Sequence, residues 1–226
     1  MSLSAVIVAG GSGKRFGSKK QFLELKGIPV LRRAASCFTA QPSVDRIVVV
    51  VPEEDLTQAQ EIFSGMGKKL IITKGGRTRQ ESTLNGLRIT QKSTTVLIHD
   101  GVRPFVSSSL IMRVIEGLTG FDASIPAIEV SDTLKEVCEG IIVKTIPRQG
   151  LYQVQTPQAF RTEALMAAHE AALQEGIFDV TDDSALMEKA GRAMRIVQGD
   201  PLNIKITFKD DISLAEAILS CHTVSE

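Results

Sequence analysis

Short apolar runs rich in β-branched residues alternate along the chain with segments whose apolar residues recur at helical spacing. Residues 5–9 form one such run, and residues 44–51 form a longer one that stops at Pro52. Continuous apolar runs of this kind are typical of parallel strands covered on both faces. Val30–Thr39 instead carries its apolar residues three and four positions apart, as one face of a helix does. The alternation predicts right-handed βαβ crossovers and an α/β fold, a three-layer sandwich around a mostly parallel sheet.

The same patterns predict the remaining elements as far as residue 220. Further strands are predicted at residues 69–73, 94–99, 123–128, 192–198 and 203–208. Further helices are predicted at residues 53–63, 78–89, 107–118, 161–174 and 210–220, and another, capped by residues 181–184, ends at Lys189. Lys205 thereby falls inside a late strand between Ile204 and Ile206. In that position a lysine most simply keeps an exposed strand edge soluble.

The alternation of strand and helix breaks after residue 129. Residues 133–137 and Ile141–Ile146 read as two strands joined by a Cys-Glu-Gly turn, and neither is followed by a helix. A lone hairpin is marginally stable, so its apolar residues need a partner surface. We expect residues 1–226 to form a single domain with a protruding β-arm at about 130–150, through which two copies form a homodimer. The alternative is a hairpin that folds back on its own domain.

Composition narrows the classes of partner. Lys+Arg and Asp+Glu number 26 each, which argues against bulk binding to nucleic acid or to an anionic membrane surface. The three cysteines are far apart and form no Cys-x-x-Cys pair, so neither a disulfide framework nor a zinc site is predicted. The apolar run near residue 1 is too short for a signal peptide or a membrane span. We therefore expect a cytoplasmic protein with no nucleic-acid or membrane partner.

A glycine-rich loop follows the first predicted strand. The segment 6–17 contains four glycines together with Lys14 and Arg15, which is typical of a loop that brings backbone N–H groups to a phosphate. It does not match the P-loop, because Arg15 stands where that motif needs Ser or Thr. It does not match the dinucleotide fingerprint either, because Phe16 occupies the third glycine position and Gly17 comes one residue late. A structural glycine turn remains the alternative to a nucleotide site.

Other polar clusters follow the predicted strands, at the sheet edge where open α/β folds bind ligands. They are residues 75–82 and residues 100–103. Taken alone, Asp100 is a turn residue or a helix cap. Taken together, the clusters predict one crevice with several cations, namely Arg15, Lys20, Arg103, Arg148 and Lys205. His99 has no serine or cysteine nucleophile motif beside it, which disfavours a covalent acyl-enzyme hydrolase.

Four motifs in order along nearly the whole chain resemble the 2-C-methyl-D-erythritol 4-phosphate cytidylyltransferase family. They are residues 9–17 with 19–22, residues 99–104, residues 132–135 and residues 155–158. The resemblance implies a Rossmann-like α/β domain whose β-arm makes a homodimer. It also implies the family reaction, in which CTP and methylerythritol 4-phosphate are joined and pyrophosphate is released.

The resemblance further assigns roles to individual residues. Nucleotide contacts are expected from Ala9, Gly10, Gly11, Gly13, Arg15, Lys20, Gly76, Ser82 and Gly101. Contacts to the sugar-alcohol phosphate are expected from Asp100, Arg103, Thr133, Arg148, Thr156 and Lys205, with Thr133 and Arg148 supplied by the partner's arm. Arg15, Lys20 and Lys205 are the expected catalytic residues, and Mg²⁺ is the expected cofactor, with Asp100 as a candidate ligand.

The chain departs from the family pattern at two positions. Gly101 stands where the family usually has Ala, and Lys19 stands where many members have Pro. Neither departure removes a charged group that the reaction needs. Gly101 is expected to loosen the turn beside the nucleotide, and Lys19 to leave the segment before Lys20 less rigid.

Three other functions stay open on the sequence. The nearest is a ribitol-5-phosphate cytidylyltransferase, which shares the nucleotide loop, although residues 132–135 and 151–157 look more like the methylerythritol enzymes. The second is an NAD-dependent oxidoreductase on a Rossmann domain. The third is a nucleotide-sensing module that binds CTP without releasing pyrophosphate.

Overall fold

The computed structural model describes residues 2–11, 16–17, 19–67, 69–178 and 180–222. Its strands are β1 Leu3–Val8, β2 Glu24–Leu25, β3 Ile28–Pro29, β4 Arg46–Val51, β5 Leu70–Lys74, β6 Thr95–Asp100, β7 Ala123–Glu129, β8 Leu134–Cys138, β9 Ile141–Ile146, β10 Tyr152–Val154, β11 Gln158–Arg161 and β12 Met194–Gln198. Its α-helices are α1 Val30–Thr39, α2 Leu56–Ile62, α3 Arg79–Thr90, α4 Ser108–Glu116, α5 Thr162–Gln174, α6 Asp183–Lys189 and α7 Asp210–His222. Two short 3-10 turns, Lys20–Phe22 and Glu53–Asp55, precede β2 and α2.

An eight-stranded mixed sheet forms the centre of the fold. Its parallel block runs in the order β6, β1, β4, β5, with Val6 of β1 paired to Val48 and Ile98. Antiparallel β11 joins β6 to β7, and β10 and β12 both pair with β7. The carboxyl ends of β1, β4, β5 and β6 meet at one edge, where the polar loops that follow them are brought together.

Helices cover both faces of this sheet, and the alternation of side chains along each strand divides the core in two. Ala5 and Ile7 of β1 pack with residues of α1, α2 and α4 on one face. Val6 and Val8 pack with residues of α3, α5 and α6 on the other. This arrangement confirms the predicted α/β sandwich, because buried strands in parallel sheets carry apolar side chains on both faces.

Local capping explains where three of the helices begin. The hydroxyls of Thr78 and Ser107 accept hydrogen bonds from backbone N–H groups in the first turns of α3 and α4. The carboxylate of Asp182 accepts one from Ala185 at the start of α6, as its place in the predicted cap suggested. Each side chain satisfies an N–H group that has no partner within its own helix.

The predicted strand at residues 203–208 is wrong. The segment is irregular, and its contacts to the fold include a hydrogen bond from Ile206 N to the carbonyl of Val102, 3.0 Å away. Ile206 is buried in a small third core cluster with Phe16 and Leu25, and Ile204 packs against it. Packing in this cluster, and not strand pairing, therefore explains the alternating apolar residues. The structure also contains β10 and β11, which the sequence patterns did not predict.

The predicted β-arm forms a separate two-stranded sheet of β8 and β9. Its surface carries large exposed apolar side chains, including Ile141 and Ile142, which are 72% and 62% exposed.

In the described part of the chain, no helix is both long enough and apolar enough to span a membrane.

Candidate active site

A cleft of about 300 Å³ lies at the carboxyl ends of the parallel strands. It collects residues from both glycine-rich loops, from the end of β6 and from the segment before α7. The described residues that line it are Val8, Ala9, Gly10, Gly11, Phe16, Lys20, Gln21, Arg77, Thr78, Arg79, Asp100, Val102 and Lys205. Six of the predicted site residues are therefore in one place, namely Ala9, Gly10, Gly11, Lys20, Asp100 and Lys205.

The first glycine loop is fixed at its base by a buried glutamine. The side-chain amide of Gln21 donates to the carbonyl of Ala9 at 3.2 Å and approaches that of Gly11 at 3.5 Å. A Cβ atom at Gly10 would lie 3.3 Å from Ser82 Oγ, so glycine allows the loop to approach the start of α3 closely. Gly13 and Arg15, which belong to the predicted site, lie outside the described residues.

The second glycine loop leads from β5 into α3. Ser82 Oγ accepts a hydrogen bond from Gly76 N at 3.1 Å and donates to the carbonyl of Thr78 at 2.9 Å. A Cβ atom at Gly76 would collide with the side chain of Glu81, at 2.1 Å from its Cγ, so this turn requires glycine. The predicted residues Gly76 and Ser82 thus shape the N-terminus of α3, whose free N–H groups and dipole favour an anion.

Asp100 is the centre of a cluster of cations. Its carboxylate is 2.8 Å from Lys205 Nζ, 3.5 Å from a guanidinium nitrogen of Arg79 and 3.8 Å from Arg103 Nε. Burial raises the pKa of Asp100, but the three positive charges more than offset that effect and hold its pKa well below the ordinary value. Asp100 is therefore ionised at neutral pH, and it holds three cations, of which Arg79 and Lys205 line the cleft with it.

His99 supports this cluster from behind as a neutral imidazole. Its Nε2 is 3.1 Å from the carbonyl of Arg103, which can only accept, so Nε2 carries the proton. Its Nδ1 then accepts from the hydroxyl of Thr156 at 2.9 Å, while Thr156 Oγ1 accepts from Asp100 N at 3.0 Å. Complete burial lowers the pKa of His99 to about 4, with Asp100 opposing part of that shift. The neutral ring thus orients Thr156, one of the predicted substrate contacts.

Lys205 reaches Asp100 from an irregular segment that side chains hold in place. Gln155 donates to the carbonyl of Asp200 at 2.8 Å and accepts from its N–H at 3.0 Å. Asn203 donates to the carbonyl of Thr156, and Arg103 donates to the carbonyl of Asn203, both at 2.8 Å. The segment is therefore anchored to the turn between β10 and β11 and to the end of β6.

Comparison with known proteins identifies the family of this chain. The family model described as "IspD: 2-C-methyl-D-erythritol 4-phosphate cytidylyltransferase" matches residues 3–221. The chain belongs to the 2-C-methyl-D-erythritol 4-phosphate cytidylyltransferase family. It is therefore a nucleotidyltransferase, and the resemblance found in the motifs is confirmed.

Curated relatives and solved structures of this family match nearly end to end. The chain is 42% identical over 97% of its length to the 2-C-methyl-D-erythritol 4-phosphate cytidylyltransferase of Geotalea uraniireducens, and 97% of that relative is covered. It is 40% identical to that of Geobacillus kaustophilus, over 97% of this chain and 98% of the relative. The crystal structure of 4-diphosphocytidyl-2C-methyl-D-erythritol synthase from Anaerococcus prevotii has a TM-score of 0.85 at 34% identity, covering 97% and 98% of the two chains.

Two cations that line this cytidylyltransferase cleft, Arg77 and Arg79, were not assigned from the sequence. Arg79 lines the cleft and bridges Asp100 to Asp183 at the start of α6, where the guanidinium is 2.7 Å from the carboxylate. Asp183 is fully buried and also contacts His169 Nε2 at 3.2 Å. Burial lowers the pKa of Arg79, but the negative charges of Asp183 and Asp100 raise it by more. The net pKa is above the ordinary value, so the guanidinium stays charged. Its position in the first turn of α3, beside the second glycine loop, was the available signal.

Seven predicted residues are not part of the described cleft lining, namely Gly76, Ser82, Gly101, Arg103, Thr133, Arg148 and Thr156. Gly76, Ser82, Arg103 and Thr156 support the loops and turns beside the cleft, as described above, and the other three lie on the arm or behind the cleft. Thr133 and Arg148 are exposed on the arm, where the guanidinium of Arg148 donates to the carbonyl of Ser131. Gly101 is buried behind the cleft, and a Cβ atom there would lie 2.7 Å from Leu31 Cδ1 and 3.0 Å from Ala9 Cβ. In this cytidylyltransferase, glycine at position 101 therefore leaves the space that the side chain of Leu31 occupies.

The cleft offers little to a metal ion besides Asp100. Among the described residues, no group of three or more His, Cys, Asp or Glu side chains is placed to hold a metal. Mg²⁺ is usually held by one or two carboxylates together with substrate phosphates, so a single carboxylate at the cleft fits that ion when a triphosphate is present. Asp100 is the acidic side chain in the described lining of the cleft.

Proposed function

We infer that this protein transfers the cytidylyl group of CTP to 2-C-methyl-D-erythritol 4-phosphate. The products are 4-diphosphocytidyl-2-C-methyl-D-erythritol and pyrophosphate, in the synthesis of isoprenoid precursors. The match of the family model to residues 3–221 carries this conclusion. Relatives at about 40% identity named for methylerythritol phosphate favour that acceptor over ribitol phosphate, and family membership leaves no place for the oxidoreductase alternative.

The reaction that we propose is an in-line displacement at the α-phosphorus of CTP. A phosphate oxygen of the acceptor forms the new P–O bond, the bond between the α-phosphorus and the bridging oxygen breaks, and pyrophosphate leaves with that electron pair. The attacking phosphate is already anionic near neutral pH, so the step requires no strong general base. The main obstacle is the repulsion between anions, so positioning and positive charge must supply most of the catalysis.

The cations of the cleft match that requirement. Lys20 and Arg79 line the side of the cleft formed by the glycine loops, where the triphosphate is expected, and Arg15 is proposed to join them. Lys205 and Arg103 contact Asp100 and are proposed to hold the acceptor together with Thr156. An arriving phosphate would compete with Asp100 for Lys205. Ion pairs with Asp100 already hold Arg79, Arg103 and Lys205 in place, and charges that are positioned before the substrates bind make electrostatic stabilisation effective.

Mg²⁺ is proposed as the cofactor, with Asp100 as its protein ligand beside the phosphates of CTP. When bound, the ion would neutralise negative charge on the triphosphate. Asp100 is suited to this role because its neighbours keep it ionised. The carboxylate of Asp100 would then contact both the ion and the side chains of Arg79, Arg103 and Lys205.

We also propose that the enzyme is a homodimer of single-domain chains joined through the β-arm. The arm exposes a run of apolar side chains on β9, which a stable interface would cover. Thr133 and Arg148 lie on this arm and not in their own cleft, so a partner's cleft is their proposed place of action. The cytoplasmic location predicted from the cysteines stays a prediction. All three cysteines lie among the described residues, and each is free.

A pyrophosphate-release assay tests the proposed function. With CTP and Mg²⁺, we expect release when methylerythritol 4-phosphate is added and none in its absence. CTP binding without release under both conditions would support the nucleotide-sensing alternative and contradict the transferase. A control without enzyme removes any contribution from spontaneous hydrolysis.

A further inference from the structure

The turn that carries Lys20 is tied to a second turn at the end of β4. Lys19 Nζ lies 2.5 Å from Asp55 Oδ1 and 3.2 Å from Glu54 Oε1. Both acids belong to the 3-10 turn Glu53–Asp55, so the contact joins segments that are 35 and 36 residues apart in sequence. It links the segment that follows the first glycine loop to a turn anchored in the central sheet.

Asp55 is the stronger of the two anchors. It is 4% exposed, and among the described residues its Oδ2 has no hydrogen-bond partner, so Lys19 supplies the counter-charge that a buried carboxylate needs. The side chain of Glu54 is 68% exposed, and exposed pairs of this kind contribute little to stability. Donating a hydrogen bond to Asp55 raises the pKa of the Lys19 amine, which therefore keeps its charge at neutral pH.

The backbone of Lys19 controls the turn that presents Lys20. The carbonyl of Lys19 accepts from Phe22 N at 3.1 Å, which closes the 3-10 turn Lys20–Phe22. The next residues are fixed independently, because Gln21 is hydrogen-bonded to the first glycine loop and Phe22 packs on the main core. Among the described residues, contacts on both sides of Lys20 therefore hold it in place. Lys19 makes those on the N-terminal side, and Gln21 and Phe22 make those on the C-terminal side.

We propose that Lys19 is a positioning residue, whose ion pair with Asp55 and Glu54 holds the turn Lys20–Phe22 and so sets where the amine of Lys20 stands in the cleft. The inference rests on the proposed role of Lys20 at the triphosphate. It differs from a direct role of Lys19 in binding phosphate. Two carboxylates engage the Lys19 amine, and Lys19 is not among the described residues that line the cleft.

A proline substitution separates the two roles. Lys19 has φ of −73°, which lies within the range of about −65 ± 15° that a proline ring imposes. Lys19→Pro therefore removes the charge and the ion pair but restrains the same backbone. Lys19→Ala removes the charge, the ion pair and the restraint together.

Steady-state kinetics with CTP and methylerythritol 4-phosphate test the proposal. We expect Lys19→Ala to lower kcat about tenfold, since small displacements of a catalytic group are costly. We expect Lys19→Pro to recover at least half of the lost activity. In a Lys20→Ala background, Lys19→Ala is expected to cause no further loss. The matched control is Lys74→Ala, which breaks the exposed 3.5 Å pair with Glu53 on the same acidic turn and is expected to leave kcat unchanged.

Several results would overturn the inference. Wild-type kcat in Lys19→Ala would remove the positioning role, and equal losses in the Ala and Pro variants would assign Lys19 an electrostatic role instead. Wild-type kcat in Lys20→Ala would overturn the role of Lys20 itself, which distinguishes that failure from a failure of the ion pair alone. If Lys19→Ala does not fold because Asp55 is left unpaired, Lys19→Ala/Asp55→Asn removes both charges and carries the same expectations.

Discussion

His99 shows how a fully buried residue outside the cleft lining can order the site. Its neutral tautomer donates to the carbonyl of Arg103 and accepts from Thr156, so one ring orders groups on both sides of Asp100. A protonated ring would be buried without water and would place a donor at Nδ1 against the hydroxyl that now donates to it. The geometry of the site therefore depends on keeping His99 uncharged.

Acid should destabilise the protein through His99 before the buried carboxylates respond. The folded-state pKa of about 4 lies below the ordinary value of 6.5, so the unfolded chain binds a proton in this interval while the folded chain does not. The stabilisation is complete above pH 6.5 and is lost as pH falls towards 4. Urea unfolding at pH 7 and pH 5 should show a loss of about 2 kcal/mol.

A variant without the titrating group provides the control for this prediction. His99→Gln should be less stable at pH 7 but should show a much smaller change between pH 7 and pH 5. Asp100 and Asp183 have pKa values lowered from 3.8, so their contributions are lost only at more acidic pH. An equal loss in the wild type and the variant would assign the acid sensitivity to other groups.

Among the elements, the β-arm has the clearest consequence for function. β8 and β9 form a separate two-stranded sheet with exposed apolar side chains, and Arg148 lies just beyond β9. Because a two-fold interface places equivalent residues in reciprocal positions, an arm that completes a partner's cleft does so twice in each dimer.

Mixed dimers test the proposed exchange of residues. Arg148→Ala and Lys20→Ala subunits are each expected to have low activity, but a heterodimer contains one cleft with both residues intact. Random exchange should restore about a quarter of wild-type activity. Lys20→Ala mixed with Lys205→Ala is the matched control, because both residues act in the same chain's cleft and no intact cleft can form. Failure of the first mixture to recover, with subunit exchange verified, would contradict the shared site.

The elements also show which parts of the fold the sequence can predict. The parallel strands were predictable because continuous β-branched runs such as residues 44–51 have few other uses. Residues 203–208 show the alternation typical of a strand, because a polar residue separates Ile204 from Ile206. In the structure, however, Ile206 N donates to the carbonyl of Val102 and both isoleucines pack in the third core cluster. The short strands β10 and β11 form by pairing with β7 and β6. A local sequence pattern does not reveal such long-range pairing.

For the molecule as a whole, the equal numbers of positive and negative side chains do not show that cations are concentrated at one edge of the sheet. The net charge is zero, yet Arg79, Arg103 and Lys205 surround Asp100 at the end of β6, and Lys20 lines the same cleft. The sequence predicted part of this site because loops after parallel strands share one edge. It did not predict the network of Arg79, Asp183 and His169, because those residues are far apart in sequence and meet only through the packing of α3, α5 and α6.

We propose that methylerythritol 4-phosphate is the acceptor of the cytidylyl group. The most direct measurement is a competition in which equal concentrations of methylerythritol 4-phosphate and ribitol 5-phosphate share limiting CTP and Mg²⁺, with both products quantified by mass spectrometry. We expect 4-diphosphocytidyl-2-C-methyl-D-erythritol to dominate from the earliest time points. An equal or greater yield of cytidine diphosphate ribitol would contradict it.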